Sequence, residues 1–259
     1  MQDGGPYTFG DGELAAERLK LLADAYEAAT RALVDWAKLG PVATLVDLGC
    51  GPGHSTRLLG ELLRPGETIG LDNSPLHLER ARHGAPSTVR FLKHDVARGP
   101  LPVPRASVLF CRFLLAHLGE PGRALANWSQ SVGPGGALLI QETSDLRTDA
   151  PAFRRYYAWV GEMQAHYGQS LYIGRELKAL AEATGWRVRA ARETVNLIPV
   201  PVMARLHAMN LQTFRHDPFV AACHSQEELD RLADELARLC SPEASGSVES
   251  VLGEVVLEA

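Results

Sequence analysis

A chain of 259 residues that is 46% hydrophobic and 22% charged has ample apolar material for a real core, as one large domain or a domain with an added subdomain. A formal net charge of −5 argues against a many-phosphate partner such as DNA or RNA, and no apolar run approaches the roughly 18 to 20 residues of a membrane span. Met1-Gln2-Asp3-Gly4-Gly5 has neither the basic start nor the apolar segment of a secretory signal, and four cysteines without a C-x-x-C pair read as free thiols, so the expected compartment is the cytoplasm.

The first pattern is helical. Leu19, Leu22, Tyr26, Ala29, Leu33 and Trp36 recur by threes and fours and Gly40-Pro41 closes the run, so residues 1–40 read as a helical segment with one packed face. Tyr7 and Phe9 stand at its entrance, where two aromatics suit a hydrophobic staple. Thr44 to Leu48 then reads as a strand, Gly49-Cys50-Gly51-Pro52-Gly53 as a turn, and Leu58, Leu59, Leu62 and Leu63 as one face of a helix starting near His54. A strand that ends in such a turn makes a nest of backbone N–H groups, and glycine lets a ligand approach that backbone closely.

The glycines fall as G-x-G-x-G with Asp47 two residues ahead, which is not the dinucleotide spacing. Here the chain resembles the class I S-adenosylmethionine-dependent methyltransferases, whose first motif is a strand ending in an acid followed by G-x-G-x-G. An acid suits the ammonium and sulfonium of that cofactor and would repel a pyrophosphate. The resemblance implies that Asp47, Gly49, Cys50, Gly51 and Gly53 bind the cofactor. It also implies that residues 1–40 form a lid, with Tyr7 on the cofactor and Phe9 on the substrate.

Thr68 to Asp72 is a second strand ending in an acid, and Asn73-Ser74-Pro75 is a helix start with a cap and proline at the first position. A carboxylate at Asp72 can accept from both vicinal ribose hydroxyls, as in nicotinamide and S-adenosylmethionine folds alike, with Asn73 beside it. A third strand from Val89 ends in His94 and Asp95. By the resemblance, Asp95 accepts from the adenine amine, the Val96 N–H reaches a ring nitrogen, and His94 borders them. An acid is chemically apt there, because the amine is a donor only.

Ala106 to Cys111 is a fourth strand. The resemblance places Cys111 and Arg112 at the methionine end, where Arg112 can pair with the carboxylate bidentately, and Phe113 at the substrate. His117 is a candidate catalytic base, although a histidine among leucines on a short helix more often serves as a hydrogen-bonded packing residue. A helix from Glu120 to about Val132 leads into a fifth strand, Ala137 to Glu142, with Glu142 at the same edge as the other acids. Strict alternation of strand and helix predicts a parallel sheet covered on both faces, with ligands at the carboxyl ends of its strands.

Residues 41–145 therefore read as the cofactor-binding core. Residues 146–172 crowd Phe153, Tyr156, Tyr157, Trp159, His166 and Tyr172 together, which suits a cap with a ring-lined wall for a hydrophobic or aromatic substrate, and equally plain helix packing. Residues 173–259 complete the core with a helix ending at Gly185, a strand over Trp186 to Leu197, a helical insertion at about 199–245 and a last strand at Gly253 to Leu257. Ser241 to Ser250 reads as a loop. The insertion holds Arg215 and His216 and contains a capping box, Ser225 with Glu228. The expected fold is α/β, a doubly wound seven-stranded Rossmann-like sheet, mostly parallel with an antiparallel last strand, plus helical cap insertions.

The function expected is methyl transfer from S-adenosylmethionine, yielding S-adenosylhomocysteine, to an O, N or C nucleophile of a small molecule. His117, His166, His216 and Glu142 are the candidate bases. Tyr156, Tyr157, Trp159, Tyr172, Arg215, Phe9, Phe113 and Glu142 are the candidate substrate pocket. No acid and amide set for a hard cation follows the fifth strand, so no metal is expected. Monomer and homodimer both stay open. The rivals are an S-adenosylmethionine-binding protein or cyclase without methyl transfer, and a nicotinamide oxidoreductase, against which Asp47, the glycine spacing and Asp95 all stand.

Overall fold

The computed structural model describes residues 12–259. Helix α1 (Glu13–Ala37) precedes β1 (Thr44–Leu48), α2 (His54–Leu63), β2 (Glu67–Asp72), α3 (Pro75–Arg82), β3 (Val89–Lys93) and β4 (Ala106–Arg112). A 3-10 turn at Leu115–His117, α4 (Pro121–Trp128) and β5 (Val132–Arg147) follow. The remainder is α5 (Pro151–His166), a 3-10 turn at Ile173–Glu176, α6 (Leu177–Ala183), β6 (Arg187–Pro199), α7 (Val200–Phe214), α8 (Pro218–Cys223), α9 (Gln226–Leu239) and β7 (Ser247–Glu258).

The seven strands form one sheet in the order β3-β2-β1-β4-β5-β7-β6. β1 to β5 run parallel, and β7 inserts antiparallel to both β5 and β6. The expected architecture, including the antiparallel last strand, is therefore present. Its cause is visible in the residues. Alternate positions of β1, β4 and β5 bury Leu48, Leu109 and Leu138 against Trp128 of α4 and Leu177 of α6, and Leu45, Phe110 and Leu139 against Leu33 of α1 and Leu59 of α2. Both faces are dry, as a parallel sheet requires. The two indoles at the α4 side are satisfied, Trp128 Nε1 donating to the Val96 carbonyl at 2.8 Å and Trp186 Nε1 to the Leu125 carbonyl at 2.9 Å.

Four elements differ from expectation. β5 runs on to Arg147 and β7 begins at Ser247, so residues 247–250 of the expected 241–250 loop are strand. Antiparallel pairing over Asp145↔Val251 and Ile198↔Val248 supplies backbone partners that a polar Ser/Glu sequence does not advertise. The helix expected to start at Ile173 opens as the 3-10 turn, and α4 stops at Trp128 before another.

The extended end of β7 is the platform of a second core. Val248 and Leu252 pack with Phe153, Tyr156, Tyr157 and Trp159 of α5, Met203 and Phe214 of α7, and Leu232 of α9. α9 starts in the expected capping box, with Ser225 and Glu228 bonded reciprocally. Among the described residues no helix is long and apolar enough to cross a membrane.

Candidate functional site

The loop after β1 holds Gly49, Gly51 and Gly53 at φ of +67°, +52° and +80°. Gly51 is the open one of the three: among the described residues a Cβ there would meet only the Leu19 side chain of α1, at 3.7 Å, so the loop forms a shallow cradle roofed by α1. Asp47, 1% exposed, lies beneath. Its Oδ2 accepts from Ser55 Oγ at 2.7 Å and Thr56 Oγ1 at 2.6 Å, fixing the start of α2, while burial raises its pKa to about 6. The Cys50 N–H donates to the Leu71 carbonyl at 2.9 Å, binding the loop to β2, and burial pushes its thiol well up.

Asp72 closes the cradle. Its Oδ2 accepts from the Gly51 N–H and its Oδ1 from the Ser74 N–H, both at 2.8 Å. A carboxylate offers about four lone-pair sites, so two remain for a ligand. The Asp72 carbonyl accepts from the His94 N–H at 2.9 Å, which draws the end of β3 alongside. There Asp95 accepts from the Ala97 N–H at 3.1 Å and pairs with Arg98 Nε at 3.0 Å, and Val96 is buried. His94 Nε2 is buried with no partner among the described residues. Asn73 is exposed. The structure thus brings Asp47, the glycines, Asp72 and Asp95 to one end of the sheet.

Arg112 at the end of β4 turns toward α1. Its Nη1 donates to Thr30 Oγ1 at 2.8 Å, Thr30 donates on to Gln141 Oε1 at 3.2 Å, Gln141 Nε2 to Glu254 at 2.6 Å, and Arg192 Nε to the other Glu254 oxygen at 2.6 Å. Burial lowers the Arg112 pKa, and Asp47 and Tyr26 oppose that. Phe113 follows at φ +51°, a sparsely populated conformation for a non-glycine residue, and packs edge-on against Tyr26 with centroids 4.7 Å apart.

Glu142 corrects an expectation. It is fully buried, and its Oε1 accepts from the N–H groups of Leu114 and Leu115 at 2.7 and 2.8 Å, while its Oε2 has no partner among the described residues. It caps the turn that carries His117 instead of facing a substrate, because that turn starts with free N–H donors and β5 ends directly beside it. Cys111 is buried next to it, its Sγ 3.9 Å from Oε1. Burial raises the Glu142 pKa from 4.5 to about 7. A carboxyl whose folded pKa is raised adds stability that is complete below its unfolded value and lost as pH climbs through the folded one. Glu142→Gln is therefore expected to flatten the decline of Tm between about pH 4.5 and 7, read by thermal melts across that window.

His117 sits at the end of the turn. Gln164 Nε2 of α5 lies 3.4 Å from its Nδ1, and Gln169 Nε2 donates to its carbonyl at 3.0 Å. Burial first and the Arg18 cation second lower its pKa to about 4. The other candidate bases lie elsewhere. His166 is exposed and stacks on Phe219 at 4.3 Å, and His216 is exposed in the α7–α8 connection, both open to water.

The aromatic cap packs inward. Tyr156 stacks on His207 at 4.0 Å, the Tyr157 hydroxyl lies 2.9 Å from His207 Nε2, and Trp159 stacks on His224 at 4.1 Å, all three rings being buried in the second core. Tyr172 is half-buried under the Arg175 guanidinium at 4.7 Å, and Arg215 pairs with Asp230 across α7 and α9. Tyr7 and Phe9 lie outside the described residues. Arg18, Thr30, Gln164 and Gln169 were not singled out from sequence. For the helical ones the signal is a polar residue on the apolar face of a helix, Arg18 one turn before Leu22 and Gln164 one turn after Val160, whereas Gln169 lies in the connection after α5.

The family described as "Methyltransferase domain" matches residues 14–191, more than half of the chain. A trans-aconitate 2-methyltransferase of Methylobacterium nodulans is 32% identical over 159 residues, covering 61% of this chain and 60% of the relative. A 2-phytyl-1,4-naphtoquinone methyltransferase of Thermosynechococcus vestitus is 31% identical over 141 residues, covering 52% of this chain and 63% of that one. The chain thus spans less than two thirds of the length of these curated relatives. Among solved structures, Haemonchus contortus phosphoethanolamine N-methyltransferase 2 in complex with S-adenosylmethionine matches with TM-score 0.55 at 15% identity, covering 93% of this chain and 57% of that chain. The [4+2]-cyclase SpnF matches with the same TM-score of 0.55 and 15% identity over 98% of this chain and 97% of its own. The structural likenesses establish the fold, and the family match goes further: the chain belongs to the class I S-adenosylmethionine-dependent methyltransferase family.

Proposed function

We propose that this chain transfers a methyl group from S-adenosylmethionine to a nucleophile of a small molecule. The observation that carries the reading is the convergence of the Gly51 cradle with Asp72, bonded to it at 2.8 Å, and with Asp95 at the next strand end. Those residues fit the cofactor. The unused lone pairs of Asp72 suit two ribose hydroxyls, Asp95 and the Val96 N–H suit the adenine edge, and Arg112 keeps N–H donors beyond the one given to Thr30 for the methionine carboxylate. When bound, S-adenosylmethionine supplies a methyl group on a sulfonium leaving group. The protein's share is then position and exclusion of water.

The acceptor reading shifts from the sequence expectation. The rings of Tyr156, Tyr157 and Trp159 are occupied with one another and with His207 and His224, which removes the support for an aromatic acceptor wall. His117, with a pKa near 4, is neutral at pH 7 and too weak a base to deprotonate an alcohol, and Glu142 is sealed. An acceptor that arrives already anionic, such as a carboxylate, needs no base. The relatives named for trans-aconitate, a tricarboxylate, support the same direction.

Titration calorimetry is expected to show S-adenosylhomocysteine binding and NAD not binding; NAD in its place would overturn the reading. Incubation of a metabolite extract with isotope-labelled methyl donor, read by mass spectrometry, is expected to label a small acid. Donor binding without any labelled product would return the chain to a cyclase or a non-transferring binder. His117→Ala is expected to lower kcat by less than the roughly hundredfold that loss of a general base costs, with no inflection near pH 6.5 in the rate profile.

A further inference from the structure

Strand pairing lines up one row of side chains across the sheet. Arg112 of β4 stands opposite Gln141 of β5, Gln141 opposite Glu254 of β7, and Glu254 opposite Arg192 of β6. Paired positions share a face, and here that face is covered by α1, whose Thr30 bonds to both Arg112 and Gln141. Two residues away along the strands, the neighbouring row is Phe110, Leu139, Val256 and Ala190, wholly apolar and in one core with Leu33 of α1. An apolar row therefore suffices to seat the helix. Thr30, Gln141 and Glu254 are each no more than 1% exposed, and a buried charged row is weak evidence for stability, because well-packed apolar residues hold a fold as well or better.

The hydrogen bonds of the row run in one direction. The Thr30 hydroxyl accepts from Arg112, so its single hydrogen is left for Gln141 Oε1. That fixes the amide, and Glu254 then accepts from Gln141 Nε2 at one oxygen and from Arg192 Nε at the other. Arg192 is anchored in turn on α1, by the Ala32 carbonyl at 3.2 Å and the Trp36 ring at 4.2 Å. A carboxylate only accepts, so each group before it donates along the row, and Thr30 meets the Arg112 guanidinium with a lone pair. Arg112 also lines a cavity of about 210 Å³ between α1 and α2, together with His54 and Ser55, which directly follow the glycine loop. Of the acids that line it, Asp24 and Glu27 are paired with Lys20 and Arg31 of α1, and Glu61 is exposed.

We propose that Thr30, Gln141 and Glu254 are positioning residues, which hold the Arg112 guanidinium in place for the amino-acid carboxylate of the methyl donor, so that β5 and β7 set the selectivity for a donor that carries this carboxylate. The proposal rests on the methyl-transfer reading above and on the pairing of Arg112 with that carboxylate. An arginine has many rotamers to lose on binding, and a guanidinium fixed beforehand keeps more of a bidentate contact as affinity.

The test measures S-adenosylmethionine and decarboxylated S-adenosylmethionine, which differ by that carboxylate alone, binding to the whole chain by titration calorimetry. The wild type is expected to favour the first by at least about tenfold. Glu254→Gln, at a residue that does not line the cavity, and Thr30→Val, which keeps the side chain's shape, are each expected to weaken S-adenosylmethionine at least about fivefold and the decarboxylated form less than about twofold. Thr30→Ser, which retains the hydroxyl, is expected to bind as the wild type does. On an Arg112→Met background, Glu254→Gln is expected to have no further effect on either ligand. Glu17→Gln, which breaks an exposed pair with Arg205 at the other end of α1, is the control and is expected to alter neither. Thr30→Val remains informative where Glu254→Gln does not fold. Equal losses for both ligands, an S-adenosylmethionine affinity unchanged in Glu254→Gln and Thr30→Val, or the same selective loss in Glu17→Gln would overturn the positioning role and leave the methyl-transfer reading intact. A wild type that binds both ligands alike would remove the carboxylate pairing and the proposal with it, and one that binds neither would overturn the methyl-transfer reading as well.

Discussion

Asp72→Ala is expected to weaken S-adenosylhomocysteine binding by roughly a hundredfold. The side chain is proposed to accept two ribose hydroxyls on a charged group, and each such bond contributes about 1.5 kcal/mol or more, so losing both costs about 3 kcal/mol. The same substitution releases the Gly51 and Ser74 N–H groups, so the cradle loses its shape together with its ligand contact. Asp72→Asn keeps one acceptor oxygen and is expected to fall between the two. Titration calorimetry checks both, with circular dichroism to establish that the variants fold. An affinity unchanged by Asp72→Ala would remove Asp72 from the cofactor site.

Gly253→Ala is expected to cost about 3 kcal/mol of stability, which for a chain of this size lowers Tm by roughly 6 to 12 °C. Gly253 lies in β7 opposite Glu142 of β5, and a Cβ there would stand 2.2 Å from the Gly174 carbonyl oxygen and 2.8 Å from Ser144 Oγ. The first of these is backbone and cannot swing aside. Gly174 is tight in its turn, its own Cβ position 2.6 Å from the Thr143 carbonyl carbon, so the 3-10 turn at Ile173–Glu176 must leave the sheet to make room. Gly161 is the contrast. It lies inside α5 with nothing within 4 Å of an added Cβ, and alanine there is expected to stabilise by about 0.5 to 1 kcal/mol. Thermal melts of the two variants side by side separate a steric loss from a general intolerance of glycine replacement.

What the sequence made legible was local. The run from Asp47 to His54 and the acids Asp72 and Asp95 each sit within a strand-turn-helix unit, whose residues reveal it without knowledge of anything distant. Alternation of such units then carries the sheet order, because parallel crossovers leave few topologies. What stayed hidden depends on contacts remote in sequence. Glu142 looked like one more acid at the ligand edge, and its partners Leu114 and Leu115 lie some 27 residues earlier. The rings of α5 have the same spacing whether they face a substrate or His207 in α7, and only the docking of α7 decides. The start of β7 is polar in sequence and strand in fact, because β5 and β6 flank it on both sides.

Helix α1 is held in different ways at its two ends. Thr30 holds Arg112, and Arg18 lies twelve residues away, about 18 Å along the same axis. Thr30 belongs to the end that is locked into the sheet through Gln141 and Glu254, whereas Arg18 belongs to the end held from outside. A donor carboxylate paired with Arg112, as proposed above, therefore meets the end of α1 that is already tied to the sheet.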